Sequence, residues 1–125
     1  MEVLHLDLSS YESVKAFAAQ IMKLKRLDVL LENAGMMAAK FRMVEGNEST
    51  ITTNVISTEL LGLLVLPRLR ETTREFGVVS RLSIVTSDLH FIANFPEHNS
   101  QDIFVVLNDK EEANMGERYT VSKLL

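Results

Sequence analysis

Leu27-Asp28-Val29-Leu30-Leu31-Glu32-Asn33-Ala34-Gly35 is the stretch on which the reading of the fold turns. A nearly continuous apolar run that stops at a polar residue and a small pair reads as a strand covered on both faces, the pattern of parallel sheets. Upstream, Glu2-Val3-Leu4-His5-Leu6 is short, apolar and partly β-branched, and reads as an earlier strand. Asp7-Leu8-Ser9-Ser10 turns the chain into a helix, with Ser9 and Glu12 spaced as a capping box that satisfies orphan backbone donors. Val14, Phe17, Ala18, Ile21 and Leu24 recur at helical spacing, and Glu12, Lys15, Gln20 and Lys23 are polar between them, so this helix is amphipathic.

Downstream, residues 36–46 are loop-like and end at Gly46, with Asn47 or Ser49 as candidate cap of a long helix from about Glu48 to Arg74. Ile51, Val55, Leu61, Leu64 and Leu69 give its buried face. Pro67 removes a hydrogen bond and should bend it, and Gly77 stops it. Arg81-Leu82-Ser83-Ile84-Val85-Thr86-Ser87 reads as a further strand. A mixed stretch from Asp88 to Met115 follows, with a short helix expected near Asp102 to Leu107, and another helix starts around Gly116. Strand, helix, strand, helix, strand implies an α/β fold with a parallel sheet.

The chain has 125 residues, 46 % apolar and 24 % charged, which suits one domain, 1–125. Its net charge of −4 argues against nucleic-acid or anionic-lipid partners, both of which attract basic faces. The absence of cysteine excludes disulfides, thiolate metal sites and cysteine nucleophiles, and the cytoplasm is the natural location. The first residues lack the basic start and apolar run of a signal peptide, and the Leu60 to Leu66 run is too short to span a bilayer. His5, His90 and His98 are dispersed, so no metal site is expected. The surroundings of Ser87 lack the Gly-x-Ser-x-Gly elbow of a hydrolase.

Tyr119 and Lys123 stand four positions apart in a helical segment and so share a face. A free phenol, with a pKa of about 10, is a poor acid–base catalyst at neutral pH, and a neighbouring ammonium favours its phenolate. Asp7, Asn33 and Gly35, and Ser87 end successive expected strands, and ligands of doubly wound sheets bind beyond the carboxyl ends of the strands.

With these residues in place, the chain resembles the short-chain dehydrogenase/reductase family. Asp7-Leu8-Ser9 is similar to the acidic turn after the family's third strand, and Leu30-Leu31-Glu32-Asn33-Ala34-Gly35 to the Asn-Asn-Ala-Gly segment after its fourth. Thr53-Asn54-Val55 resembles the helix segment with the family's Asn, Ile84-Val85-Thr86-Ser87 the strand ending in its Ser, and Tyr119-Thr120-Val121-Ser122-Lys123 its Tyr-x-x-x-Lys. The stretch from Ser87 to Gly116 most resembles fungal members, often found in secondary-metabolite pathways. The resemblance implies a partial Rossmann-like, doubly wound parallel sheet of about three strands with flanking helices. It implies hydride transfer between a nicotinamide and a small-molecule carbonyl or secondary alcohol, with NADP or NAD as cofactor, NADP being favoured, and a homodimer. Tyr119 would exchange the proton with the substrate oxygen, and Ser87 would hydrogen-bond that oxygen. Lys123 would hold the ribose hydroxyls, Asn54 would link Lys123 to a proton relay through water, and Asp7 and Asn33 would contact the adenosine.

Three departures bear on these expectations. Glu32 stands where the family segment has its first Asn. The gap from Ser87 to Tyr119, 119 − 87 = 32 positions, is long. Gly35, Gly46, Gly62, Gly77 and Gly116 are too scattered for a dinucleotide fingerprint, so no Gly-rich turn cradles the pyrophosphate. In the order 3-2-1-4-5-6 the three expected strands are 3, 4 and 5, so residues 2–6 must dock directly on the next strand or stay unpaired. The chain therefore reads as a family member truncated at both ends, the alternative being a non-catalytic remnant or protein-interaction fragment.

Overall fold

The computed structural model describes residues 2–125, and the chain divides into two compact units. The first comprises the chain up to Asn33 together with Ser57–Val85. Its helix α1, Tyr11–Ile21, begins at Ser10, whose hydroxyl accepts the Ser13 N–H at 3.3 Å. The cap expected at Ser9 is thus displaced by one residue. The Ser9 N–H and hydroxyl both donate to Asp7 Oδ1, at 2.8 and 2.7 Å, a local turn that competes with capping.

Val14, Ala18 and Ile21 of α1 pack with Leu61 and Val65 of α3, Thr58–Phe76, to form this unit's core. α3 runs unbroken through Pro67 and ends at Gly77, whose φ of 65° is the left-handed conformation that glycine adopts without steric cost. Leu64, expected on the buried face, is 36 % exposed, because the inward row passes through Leu61, Val65 and Leu69 instead.

Strand β1, Val29–Glu32, pairs in parallel with β4, Arg81–Ile84, Val29 opposite Arg81 and Glu32 opposite Ile84. The ladder extends one bond past each end: Arg81 N–H donates to the Asp28 carbonyl at 2.8 Å, and Val85 N–H to the Glu32 carbonyl at 2.9 Å. The Leu27 N–H donates to Thr72 Oγ1 of α3 at 2.9 Å, tying the entry of β1 to the helix that packs on it. β1 is not covered on both faces. Leu31 is 62 % exposed beside Glu32 at 8 %, so burial alternates with the strand's period of two. The strand expected at Glu2–Leu6 does not form: Leu4 and Leu6 pack against the helical core without joining a ladder. Apolar character suffices for that packing, whereas a strand needs a neighbour with free backbone groups.

The second unit comprises Ala34–Ile56 and Thr86–Leu125. A small antiparallel hairpin of β2, Met43–Val44, and β3, Asn47–Glu48, occupies the end of the expected loop and the expected start of the long helix. Its corner residues Glu45 and Gly46 have φ of 51° and 83°, as a type I′ turn requires. α2, Ser49–Ile51, is capped by Glu48 rather than by Asn47 or Ser49, and runs into a π-helical turn, Thr52–Ser57. The 88–115 stretch is packed. It forms 3-10 turns at Asp88–Ile92 and Pro96–Asn99 and the expected short helix, α4, Ile103–Leu107, which Asp102 caps. Leu107 joins Ile51 and Val121 of α5, Arg118–Leu124, in a core flanked by Val55, Ile56 and Phe95. Asn108 fastens this stretch to the hairpin, accepting the Glu48 N–H and donating to Asn47 Oδ1, at 2.8 and 2.9 Å.

The continuous helical stretch Ser49–Phe76 is long and apolar enough, by length and composition, to cross a membrane, but its most apolar window is 61 % buried within the protein, as in a core helix.

Candidate functional site

Four of the six residues singled out in the sequence belong to the second unit, where Asn54, Tyr119 and Lys123 are joined by short chains of contacts. Asn54 is buried in the π-helical turn, a widened turn that recurs at functional sites. Its side chain uses both ends. Oδ1 accepts the Met36 N–H at 2.8 Å, and Nδ2 donates to the Met36 carbonyl at 2.8 Å and to Ser122 Oγ at 2.9 Å. The Ser122 hydroxyl donates in turn to the Tyr119 carbonyl at 2.7 Å. Asn54 therefore links the loop after Asn33-Ala34-Gly35 to the middle of α5.

Tyr119 and Lys123 lie on α5, both half-buried, with the ammonium 5.8 Å from the centre of the phenol ring. Lys123 also approaches Gly35: a Cβ added there would stand 3.7 Å from Nζ and 3.1 Å from Asn54 Oδ1. The bare glycine is what lets backbone, amide and ammonium meet.

Ser87 is half-buried and caps the 3-10 turn that packs against α5. Its Oγ accepts the Leu89 N–H at 3.2 Å and donates to Asp88 Oδ1 across a long 3.4 Å, while its carbonyl is bonded to His90 Nδ1. Asp7 and Asn33 belong to the first unit, both exposed. Asp7 organises the approach to α1, its own N–H donating to Ser13 Oγ at 2.9 Å, and Asn33 directly follows β1.

Glu32, the departure from the expected Asn, has both carboxylate oxygens buried without a hydrogen-bond partner. Burial, with a smaller contribution from Glu59, pushes its pKa up to about 7.

Reading the sequence did not single out Glu48 and Arg118. Both side chains are buried, with Arg118 Nε 3.8 Å from Glu48 Oε2. Burial lowers the Arg118 pKa, and Glu48 and Glu97 oppose it. The available signal was a charged residue four positions before Ser122, on the same side of α5. A cavity of about 270 Å³ in the 88–115 region is lined by Asn94, Glu97, Val106 and Glu117 among others, and by none of the six residues named from the sequence.

The short chain dehydrogenase family model matches residues 1–93, most of the chain. The chain belongs to the short-chain dehydrogenase family. A short-chain dehydrogenase of Penicillium roqueforti, anuD, is 42 % identical over all 125 residues, which span 32 % of that relative. Among solved structures, an uncharacterised protein from Mycobacterium paratuberculosis superposes with a TM-score of 0.69 at 29 % identity over 98 % of this chain and 40 % of its own. A short-chain dehydrogenase from Sphingobium yanoikuyae, solved with NADPH, superposes with a TM-score of 0.62 at 21 % identity, again over 98 % of this chain and 40 % of its own. The chain thus spans about a third of the length of the Penicillium relative and 40 % of each of these two solved chains. The fold is the family's α/β Rossmann-like one, present here as a partial sheet. The expected resemblance to fungal members accords with the Penicillium relative.

Proposed function

We propose that this chain carries the proton-transfer machinery of an NAD(P)-dependent oxidoreductase that interconverts a carbonyl and a secondary alcohol, in fungal secondary metabolism. The convergence on Gly35 supports this reading most directly. There the Lys123 ammonium, the Asn54 amide and an unfilled Cα lie within van der Waals reach of one point.

The residues fit the nicotinamide-ribose end of a dinucleotide: Gly35 leaves the room that a Cβ would fill, and Lys123 brings hydrogen-bond donors suited to ribose hydroxyls. The bound nicotinamide would supply or accept the hydride. Tyr119 gives its hydroxyl proton to the substrate oxygen in reduction and takes it back in oxidation. Ser87 exchanges its long bond to Asp88 for a bond to the same oxygen, stabilising the charge that develops there. Asn54 holds Met36 and Ser122 and so keeps the loop at Gly35 in register with α5. Asp7 and Asn33 serve the adenosine end. Residues 1–125 are read as one partial domain of this fold, cytoplasmic, with a homodimer as its assembly and no membrane span.

Titration with NADPH and NADH, followed by nicotinamide fluorescence, tests the reading. Saturable binding below about 1 mM is expected, within the ordinary range for enzyme ligands. Tyr119→Phe should retain binding and lose turnover by roughly 100-fold or more, the usual contribution of a general acid. No saturation with either dinucleotide, or full activity in Tyr119→Phe, would refute it.

A second reading, a non-catalytic remnant that pairs with another protein, draws on the two-stranded sheet. Its residues Val29 and Leu31 are 54 % and 62 % exposed, and Leu82 and Ile84 37 % and 39 %. Two strands alone are marginal, and open apolar edges invite pairing. Saturable binding of NADPH or NADH would set this reading aside.

A further inference from the structure

α5 carries two rows of side chains, each with members four residues apart. Tyr119 and Lys123 form the half-buried row, and Arg118 and Ser122 form the buried one. Each member of the buried row has a partner on the segment that begins at Glu48. Arg118 pairs with Glu48, and one helical turn later Ser122 accepts from Asn54.

Glu48 is a fixed post. Its carboxylate accepts the Thr50 N–H at 2.9 and 3.0 Å, the Ile51 N–H at 3.2 Å and the Ser49 hydroxyl at 2.9 Å, so its position is set by the helix it caps. Arg118 has no such network. Nε and Nη1 are buried without hydrogen-bond partners, and Nε faces Glu48 at 3.8 Å. Breaking a buried pair leaves a stranded charge, while an apolar pair of equal volume would stabilise as well, so burial of this pair is poorly explained by stability alone.

We infer that Arg118, held by Glu48, is a positioning residue that sets the rotation of α5 and thereby the aim of Tyr119 and Lys123. This rests on the proton-transfer reading of that pair. A phenol hydroxyl stands roughly 8 Å from its helix axis, so a 10° rotation of α5 carries it by about 1.4 Å. Displacement of that size can cost a catalytic group on the order of 100-fold in rate.

The chain contains no Trp and two Tyr, so in a Tyr11→Phe background the tyrosine band of the near-ultraviolet circular dichroism reports Tyr119 alone. Three variants of the full chain are made in that background. Arg118→Met removes the charge and keeps the volume, Glu48→Gln keeps an acceptor for the helix cap, and Arg118→Lys keeps the charge.

The expected result is a tyrosine band reduced by about half or more in Arg118→Met and Glu48→Gln, well below their melting temperatures, and restored in Arg118→Lys; kcat falls about tenfold or more, and the KM for NADPH rises with it because Lys123 turns with Tyr119. A lowered melting temperature with the band and kcat intact makes the pair merely structural and overturns the inference. If Arg118→Met fails to fold, Glu48→Gln decides by the same two readouts. If the parent chain neither binds NADPH or NADH nor turns over, the proton-transfer reading fails, and the band alone decides whether Arg118 sets Tyr119.

Discussion

Glu32 makes the stability of this protein depend on pH in an unusual direction. The carboxyl is 8 % exposed at the end of β1, and neither oxygen has a hydrogen-bond partner. α3 passes close by, since a Cβ at Gly62 would lie 3.5 Å from Glu32 Oε1, and the Glu59 carboxylate adds repulsion from the same helix. The pKa rises from the ordinary 4.5 to about 7 in the folded chain. Between these values the folded state keeps a proton that the unfolded state has released, so stability falls as pH rises. The favourable contribution is complete below pH 4.5 and is lost once the pH has passed about 7. A shift of about 2.5 units, at 1.36 kcal/mol each, corresponds to roughly 3 kcal/mol, a large share of the 5–15 kcal/mol that stabilises a typical domain. Glu32→Gln keeps the shape and cannot ionise. Urea unfolding of both proteins, followed by far-ultraviolet circular dichroism at intervals from pH 5 to pH 8, should give a wild-type stability that declines toward pH 8 relative to the variant. The variant should then be the more stable at pH 8 by about 3 kcal/mol, a difference that shrinks to about 1 kcal/mol at pH 5. Parallel curves across the range would refute the assignment of a buried, unpaired carboxyl to this position.

Two further outcomes test the second unit. Asn54→Leu removes three hydrogen bonds and leaves the Met36 backbone groups unpaired, so it should cost about 2–4 kcal/mol and speed hydrogen exchange at the Met36 amide; unchanged exchange would show that Asn54 does not hold that loop. Leu107→Ala opens a cavity at a side chain that is 0 % exposed and should destabilise by about 2–5 kcal/mol in thermal unfolding, whereas a surface excursion would tolerate the change.

Local patterns carried much of the reading. The spacing of Val14, Ala18 and Ile21 is helical whatever surrounds it, and these residues form the core face of α1. Gly77 ends α3 and Asp102 starts α4 because a left-handed turn and a capping carboxylate act within a few residues of themselves. The family motifs were legible for the same reason. The misreadings share a different cause. Glu2–Leu6 has the composition of a strand, but pairing depends on what stands beside it. Ser9 satisfies the spacing of a capping box, yet Asp7 takes its hydroxyl. Glu48, outside the usual set of capping residues, caps α2 because its carboxylate reaches the Thr50 and Ile51 amides.

The order of chemical groups along the chain, Asn33-Ala34-Gly35, Asn54, Ser87, Tyr119 and Lys123, is written in residue types and short spacings, and it was enough to reach the α/β fold and the family. Which of them meet was decided by folding. Asn54 reaches Met36 and Ser122 across separations of 18 and 68 residues, and Arg118 finds Glu48 in the interior. Such contacts follow no local rule. They arise when packing brings distant backbone and side chains together and every buried polar group has to find a partner or bear the cost of lacking one, as Glu32 does.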